Sequence, residues 1–141
     1  MNHHARLLVI DDREETLRRA LGQALAHHDV ETVHDAVGAL YCLDSEAHRP
    51  FEVIFCDLGR GDLAGPELWA YLSITRKSAA ARMVFVASEP LKPQTQAFLA
   101  AVPNTWVKLP LSGDDLDLGA MRRAPAGRPE PARQSSPEGA R

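Results

Sequence analysis

A chain of 141 residues has the length of one domain, since single domains commonly run to about 100–200 residues. Sixteen Lys and Arg against nineteen Asp and Glu leave a net charge of −3, which supplies no long-range field for nucleic acid or an anionic membrane. Hydrophobic residues at 45% fit a soluble globular protein, and the longest apolar runs fall far short of the roughly 18 residues that span a bilayer.

Leu7 to Ile10 reads as a first strand and ends at Asp11-Asp12, which also spoils it as a secretory core. Leu17, Ala20, Leu21, Ala24 and Leu25 recur at the spacing of one helix face. Val30 to Val33 is a second, weaker strand, and Val37, Leu40 and Tyr41 repeat the helical spacing until Pro50 closes the stretch. Phe51 to Cys56 is a third strand ending at Asp57. A loop with Gly59, Gly61 and Gly65 then leads to Pro66, a favourable first helical residue, and to Leu68, Trp69 and Leu72. Met83 to Ala87 forms a fourth strand, Gln94 to Ala101 a short helix, Thr105 to Leu109 a fifth strand, and Asp114 to Met121 a last helix weakened by Gly119.

Residues 122–141 hold five arginines against two glutamates, a net of +3, with four prolines and no aliphatic side chain larger than alanine. Such a segment buries too little apolar surface to offset its ordering entropy and is expected to be a disordered tail. The folded unit is expected over residues 4–121, and the chain before the tail carries a net of −6. The tail is too short and too polar to make a DNA-binding domain.

Five βα units with continuous apolar strands read as an α/β fold, a doubly wound parallel sheet covered on both faces. Right-handed crossovers favour the flavodoxin-like (βα)5 order 2-1-3-4-5. That order makes strands one and three neighbours at the switch point, so Asp11, Asp12 and Asp57 meet at adjacent carboxyl ends. Three ionised carboxylates so placed repel one another and call for a cation, and an oxygen-rich, partly hydrated site suits Mg2+. With charge offset in this way, one carboxylate can attack a phosphoryl donor and become an aspartyl phosphate. Asp57, on the central strand before a glycine-rich loop, is the better-placed nucleophile. The plainer reading of Asp11-Asp12 is helix-start chemistry, with carboxylates capping the helix that follows.

On these residues the chain resembles the receiver domain of two-component response regulators over about residues 5–121. The resemblance rests on Leu-Leu-Val-Ile-Asp11-Asp12, on Val-Ile-Phe-Cys-Asp57-Leu, on Gly65 eight residues after Asp57, and on the fourth and fifth strands. It implies that Asp57 is the phosphoacceptor, that Asp12 contacts Mg2+ directly and Asp11 through water, and that the Gly59 carbonyl completes the ligands. Lys92-Pro93 through Leu99, with Val102-Pro103-Asn104, is most similar to receivers attached to hybrid histidine kinases.

The chain also departs from that pattern. Receivers carry Thr or Ser at the end of strand four and Lys before Pro at the end of strand five. Counting from Asp57 puts Ala87 at the hydroxyl position with Ser88 one place on, and anchoring on Pro110 and Leu116 puts Leu109 at the lysine position with Lys108 one place before. A one-residue slip would restore Ser88 or Lys108 but reverses a side chain's direction in a strand, unless the strand end bulges. Arg60 and Gly61 stand where receivers have an apolar residue and proline.

The leading expectation is a stand-alone cytoplasmic receiver in a phosphorelay. It would take phosphoryl from a histidine kinase or histidine phosphotransfer protein with Mg2+ and signal by protein contacts. Enzymatic activity would extend at most to self-phosphorylation and autodephosphorylation on Asp57. A pseudo-receiver that binds its partner without phosphorylation is the alternative, favoured by Ala87 and Leu109. A Mg2+-dependent phosphohydrolase would want a carboxylate two residues after the nucleophile, where Gly59 stands. Other features read plainly. His3-His4 and His27-His28 are adjacent pairs without metal-ligand spacing, Arg60-Gly61-Asp62 is a chance tripeptide, and Cys56 in an apolar strand is packing. Trp106 belongs either to the core or to a partner surface.

Overall fold

The computed structural model describes residues 4–45, 49–58, 64–88 and 90–109. Five strands, β1 (Arg6–Ile10), β2 (Asp29–Val33), β3 (Val53–Asp57), β4 (Met83–Ser88) and β5 (Trp106–Leu109), pair in parallel in the order β2-β1-β3-β4-β5. This is the flavodoxin-like order expected from the alternating elements. The helices are α1 (Thr16–Leu21), α2 (Ala36–Asp44), α3 (Ala64–Thr75), α4 (Lys77–Ala81) and α5 (Pro93–Ala101). The helix expected over Asp114 to Met121, the loop at Gly59 and Gly61, and the tail 122–141 lie outside the described residues. Among the described residues no helix is long and apolar enough to cross a membrane.

Strand alternation divides the core in two. Leu8, Ile10, Ile54, Cys56, Met83, Phe85 and Ala87 pack on one face with Leu43, Leu68, Leu72 and Leu99. Leu7, Val9, Val53, Phe55, Val84, Val86 and Val107 pack on the other with Leu17, Leu21 and Leu25. Both faces are buried, which is why the strands read as continuous apolar runs rather than as alternation.

Two helices differ from their periodicity. The first α-helix stops at Leu21 and continues as a 3-10 turn over Gly22–Leu25, with Gly22 at φ 27°. The buried stripe is Leu17, Leu21 and Leu25, while Ala20 and Ala24 stand exposed. In α2, Val37 and Tyr41 are 75% and 74% exposed, and Ala39 and Leu43 face the core instead. The N-cap sets that rotation: the Asp35 carboxylate accepts from the Gly38 N–H at 2.8 Å, and a Cβ at Gly38 would lie only 3.1 Å from Val33 Cβ. Ala36, Ala39, Leu40 and Leu43 therefore pack toward the sheet, and Val37 and Tyr41 turn outward.

The other boundaries shift slightly. β3 begins at Val53 rather than Phe51, whose buried ring lies 4.1 Å under the Arg6 guanidinium. α3 begins at Ala64, two residues before Pro66. Buried Asn104 ties the far end of the sheet together. Its amide donates to the Ala80 and Met83 carbonyls, and its Oδ1 accepts from the Trp69 indole N–H at 3.1 Å. Trp106 is half-buried and packs against the same cluster as Phe85 and Phe98.

Candidate functional site

β1 and β3 are adjacent with Ile10 opposite Cys56, so the residues that come next on each chain, Asp11 and Asp57, come together. One carboxylate oxygen from each of Asp11, Asp12 and Asp57 lies within 4.8 Å of the other two. Three hard oxygen donors at that separation, all from carboxylates, fit a small divalent cation such as Mg2+. Gly59, the remaining ligand implied by the sequence, lies outside the described residues.

The two aspartates after β1 also hold α1. Asp11 is fully buried, and its Oδ1 accepts from the N–H groups of Asp12 at 2.8 Å and Leu17 at 2.9 Å. Its Oδ2 accepts from the Arg18 N–H at 2.7 Å. Asp12 Oδ1 takes the Thr16 N–H at 2.9 Å. Between them these carboxylates satisfy three of the donors that a helix start leaves without partners. The Thr16 N–H is the main reason that Asp12 sits below the usual carboxylate range, outweighing a small desolvation in the other direction. The two residues that the sequence offers either as helix caps or as cation ligands thus cap α1 and also belong to the acidic cluster.

This arrangement forces the intervening turn. The Glu15 N–H donates to the Asp12 carbonyl at 3.0 Å, and Glu15 adopts the left-handed conformation at φ 60°. His34, just past β2, places Nδ1 3.0 Å from the Asp12 carbonyl and Nε2 3.9 Å from the Glu15 carboxylate. Sequence reading missed His34, although its place one residue beyond β2 puts it at the same end of the sheet.

The opposite side of the site differs in kind. β4 and β5 pair Ala87 with Lys108 and Ser88 with Leu109, without a bulge. Alternation puts Ser88 and Leu109 on the Asp57 face of the sheet and Ala87 and Lys108 on the other. Ala87 is 2% exposed, Leu109 is partly buried against the core cluster that holds Phe55, Val86 and Val107, and both Ser88 and Lys108 are exposed. A cavity of about 40 Å3 opens beyond the ends of β3 and β4, lined among others by Leu58, Ala87, Ser88, Lys92 and Thr95.

Gly65 fixes the start of α3 against this end of the sheet. A Cβ there would lie 2.7 Å from Leu58 Cδ2 and 3.1 Å from Cys56 Sγ, so only glycine permits the approach. Cys56 is buried, as expected of packing, and burial followed by the charge of Glu31 pushes the Cys42 thiol up, away from reactivity.

No family model and no curated relative matches the chain. Solved structures do match its fold. The receiver domain of the Francisella response regulator 1452 superposes with a TM-score of 0.61 at 18% identity, over 85% of this chain and 98% of that one. A two-component response regulator from Cytophaga hutchinsonii gives 0.63 at 18% identity, over 86% and 96%. The chemotaxis response regulator CheY4 of Vibrio cholerae gives 0.59 at 21%, over 86% and 98%. The fold is therefore the flavodoxin-like fold of response regulator receivers, as the sequence resemblance implied.

Proposed function

We propose that this chain is a cytoplasmic receiver that takes a phosphoryl group on Asp57 and passes the signal on by protein contacts. The donor is a phosphohistidine on a histidine kinase or histidine phosphotransfer protein. The observation that carries this reading is the meeting of Asp11, Asp12 and Asp57 within 4.8 Å at the β1/β3 switch point of a receiver-like fold. An Asp57 oxygen attacks phosphorus in line with the departing imidazole nitrogen. Mg2+, when bound, offsets the charge that would otherwise keep carboxylate and phosphoryl apart. Asp12 and Asp57 would hold it directly. The three N–H donors on Asp11 favour a part through water for that residue, and the Gly59 carbonyl would complete the set.

Intact mass after incubation with acetyl phosphate and Mg2+ tests the proposal. The wild type gains one phosphoryl group and Asp57→Asn gains none; equal gains in the two would refute it. Buried Ala87 and apolar-packed Leu109 favour a second reading, a pseudo-receiver that holds its partner without phosphate. In that case partner binding is the same for the wild type and Asp57→Asn.

A further inference from the structure

Asp11 and Asp12 are held in place by different means. Asp11 is fully buried and takes three backbone N–H groups on its carboxylate. Asp12 is half-buried, so packing alone does not fix its side chain, whose direction follows from the peptide groups on either side of its Cα. On one side the Asp12 N–H donates to Asp11 Oδ1 at 2.8 Å, and on the other the Asp12 carbonyl accepts the Glu15 N–H at 3.0 Å. Both partners belong to the connection between β1 and α1 and move with it. The pairing of β1 with β2 anchors that connection only as far as Asp11, whose N–H donates to the Val33 carbonyl at 2.9 Å. His34 follows Val33 and adds one more tie from its side chain, with Nδ1 3.0 Å from the Asp12 carbonyl. A carbonyl only accepts, so Nδ1 carries the proton, in the neutral and the charged ring alike. The Asp12 carbonyl then uses both of its lone pairs, one within the turn and one toward the end of β2.

Resting on the receiver reading above, we infer that His34 is a positioning residue of the cation site: the hydrogen bond from its Nδ1–H to the Asp12 carbonyl holds Asp12 in the conformation that meets Mg2+. His34 is not itself a ligand, since Nδ1 is committed to Asp12 and Nε2 faces the Glu15 carboxylate at 3.9 Å. It acts through Asp12, by keeping the competent conformation populated before the cation arrives. Without this bond that conformation is one of several, and the apparent affinity for Mg2+ falls by the fraction in which it is populated. One neutral hydrogen bond limits that fall to about fivefold. Phosphoryl acceptance on Asp57 at saturating Mg2+ is untouched, because the cation then selects the same site.

The test uses the full chain, with Mg2+ binding read by calorimetry and the rate of mass gain from acetyl phosphate read as Mg2+ is varied. His34→Leu, which fills similar space without a donor, is expected to weaken Mg2+ binding about fivefold. It raises the half-saturating Mg2+ for mass gain by the same factor and leaves the rate at saturation unchanged. Asparagine and glutamine separate the two ring nitrogens, since the Asn amide nitrogen is bonded directly to Cγ, like Nδ1, and the Gln amide nitrogen lies one atom further, like Nε2. His34→Asn keeps the bond to Asp12 and binds Mg2+ within about twofold of the wild type, whereas His34→Gln keeps only the approach to Glu15 and behaves like His34→Leu. His27→Leu, the same exchange at an exposed histidine before β2, changes neither measurement. The inference is overturned if His34→Leu binds Mg2+ as the wild type does, or if the rate at saturating Mg2+ falls with the affinity. Should His34→Leu fail to fold, the other two variants decide: equal affinities, or recovery by His34→Gln and not by His34→Asn, overturn it. In all these cases the receiver reading stands, because the wild type still binds Mg2+ and gains mass. A wild type that binds no Mg2+ and gains no mass takes both down together.

Discussion

Gly65→Ala puts a methyl group where the structure leaves no room for one. The added Cβ meets Leu58 Cδ2 at 2.7 Å and Cys56 Sγ at 3.1 Å, and both partners are buried, at 7% and 1% exposure. Overpacking of this kind costs about 1–3 kcal/mol. Alanine returns up to about 1 kcal/mol of helix propensity at the start of α3, so the net expectation is a loss of about 1–2 kcal/mol. Urea unfolding followed by tryptophan fluorescence would read this as a midpoint lower by about 0.5–1 M. A second variant isolates the contact. Leu58→Ala alone leaves a cavity and costs about 2–3 kcal/mol, but it also makes the space that the added methyl group needs. The double variant should therefore be more stable than the sum of the two singles by about 1 kcal/mol. A neutral or stabilising Gly65→Ala, or strict additivity in the cycle, would refute the claim that this glycine exists for close approach.

Three further outcomes follow from the same end of the sheet. Asp12→Ala should weaken Mg2+ binding at least several-fold by calorimetry. Without divalent ions its stability should stay within about 1 kcal/mol of the wild type, because relief of carboxylate repulsion offsets the lost Thr16 cap, itself worth about 0.5–2 kcal/mol. Glu15→Gly should raise the melting midpoint, since a left-handed residue costs roughly 1–2 kcal/mol and glycine's greater unfolded freedom takes back about 0.5–1; a lower midpoint would mean that the Glu15–His34 pair outweighs the strain. Asp12 has a depressed folded pKa, so its contribution is whole above the unfolded value near 3.8 and disappears as pH falls through the lower folded value. Acid titration in the absence of divalent ions should accordingly cost the wild type more stability below about pH 4 than it costs Asp12→Ala.

Strand order, the two-sided core and the meeting of Asp11, Asp12 and Asp57 were legible in the sequence, because apolar runs ending at charged residues carry that information directly. Helix rotation was less so. Of Val37, Leu40 and Tyr41, whose spacing satisfies a helical face, only Leu40 packs against the core, beside Ala36, Ala39 and Leu43, in a helix whose start is capped by Asp35. The end of α1 was hidden for a similar reason: Gly22 at positive φ ends the helix without breaking the leucine stripe, since Leu25 still reaches the core from the 3-10 turn. The switch positions depended on register. The unbulged pairing of Ala87 with Lys108 is a tertiary fact that counting residues could pose but not answer.

The carboxylates do not weigh equally in the functional reading. Asp11 would be needed at the end of β1 even if no cation ever bound, since three backbone N–H groups turn toward it and it caps Leu17 and Arg18 at the start of α1. Asp12 shares that duty through Thr16. Asp57 is different: it ends β3, and among the described residues the helix that follows it in the chain is α3, which starts at Ala64. It also sits at the end of the central strand β3, with a carboxylate oxygen within 4.8 Å of those of Asp11 and Asp12. The proposed phosphoryl chemistry would therefore rest on Asp57 more than on the pair that precedes α1, whose carboxylates also cap that helix. The physical consequence is an asymmetry between variants: loss of Asp11 damages the fold and the site together, whereas Asp57→Asn relieves repulsion and leaves every hydrogen bond at the start of α1 in place.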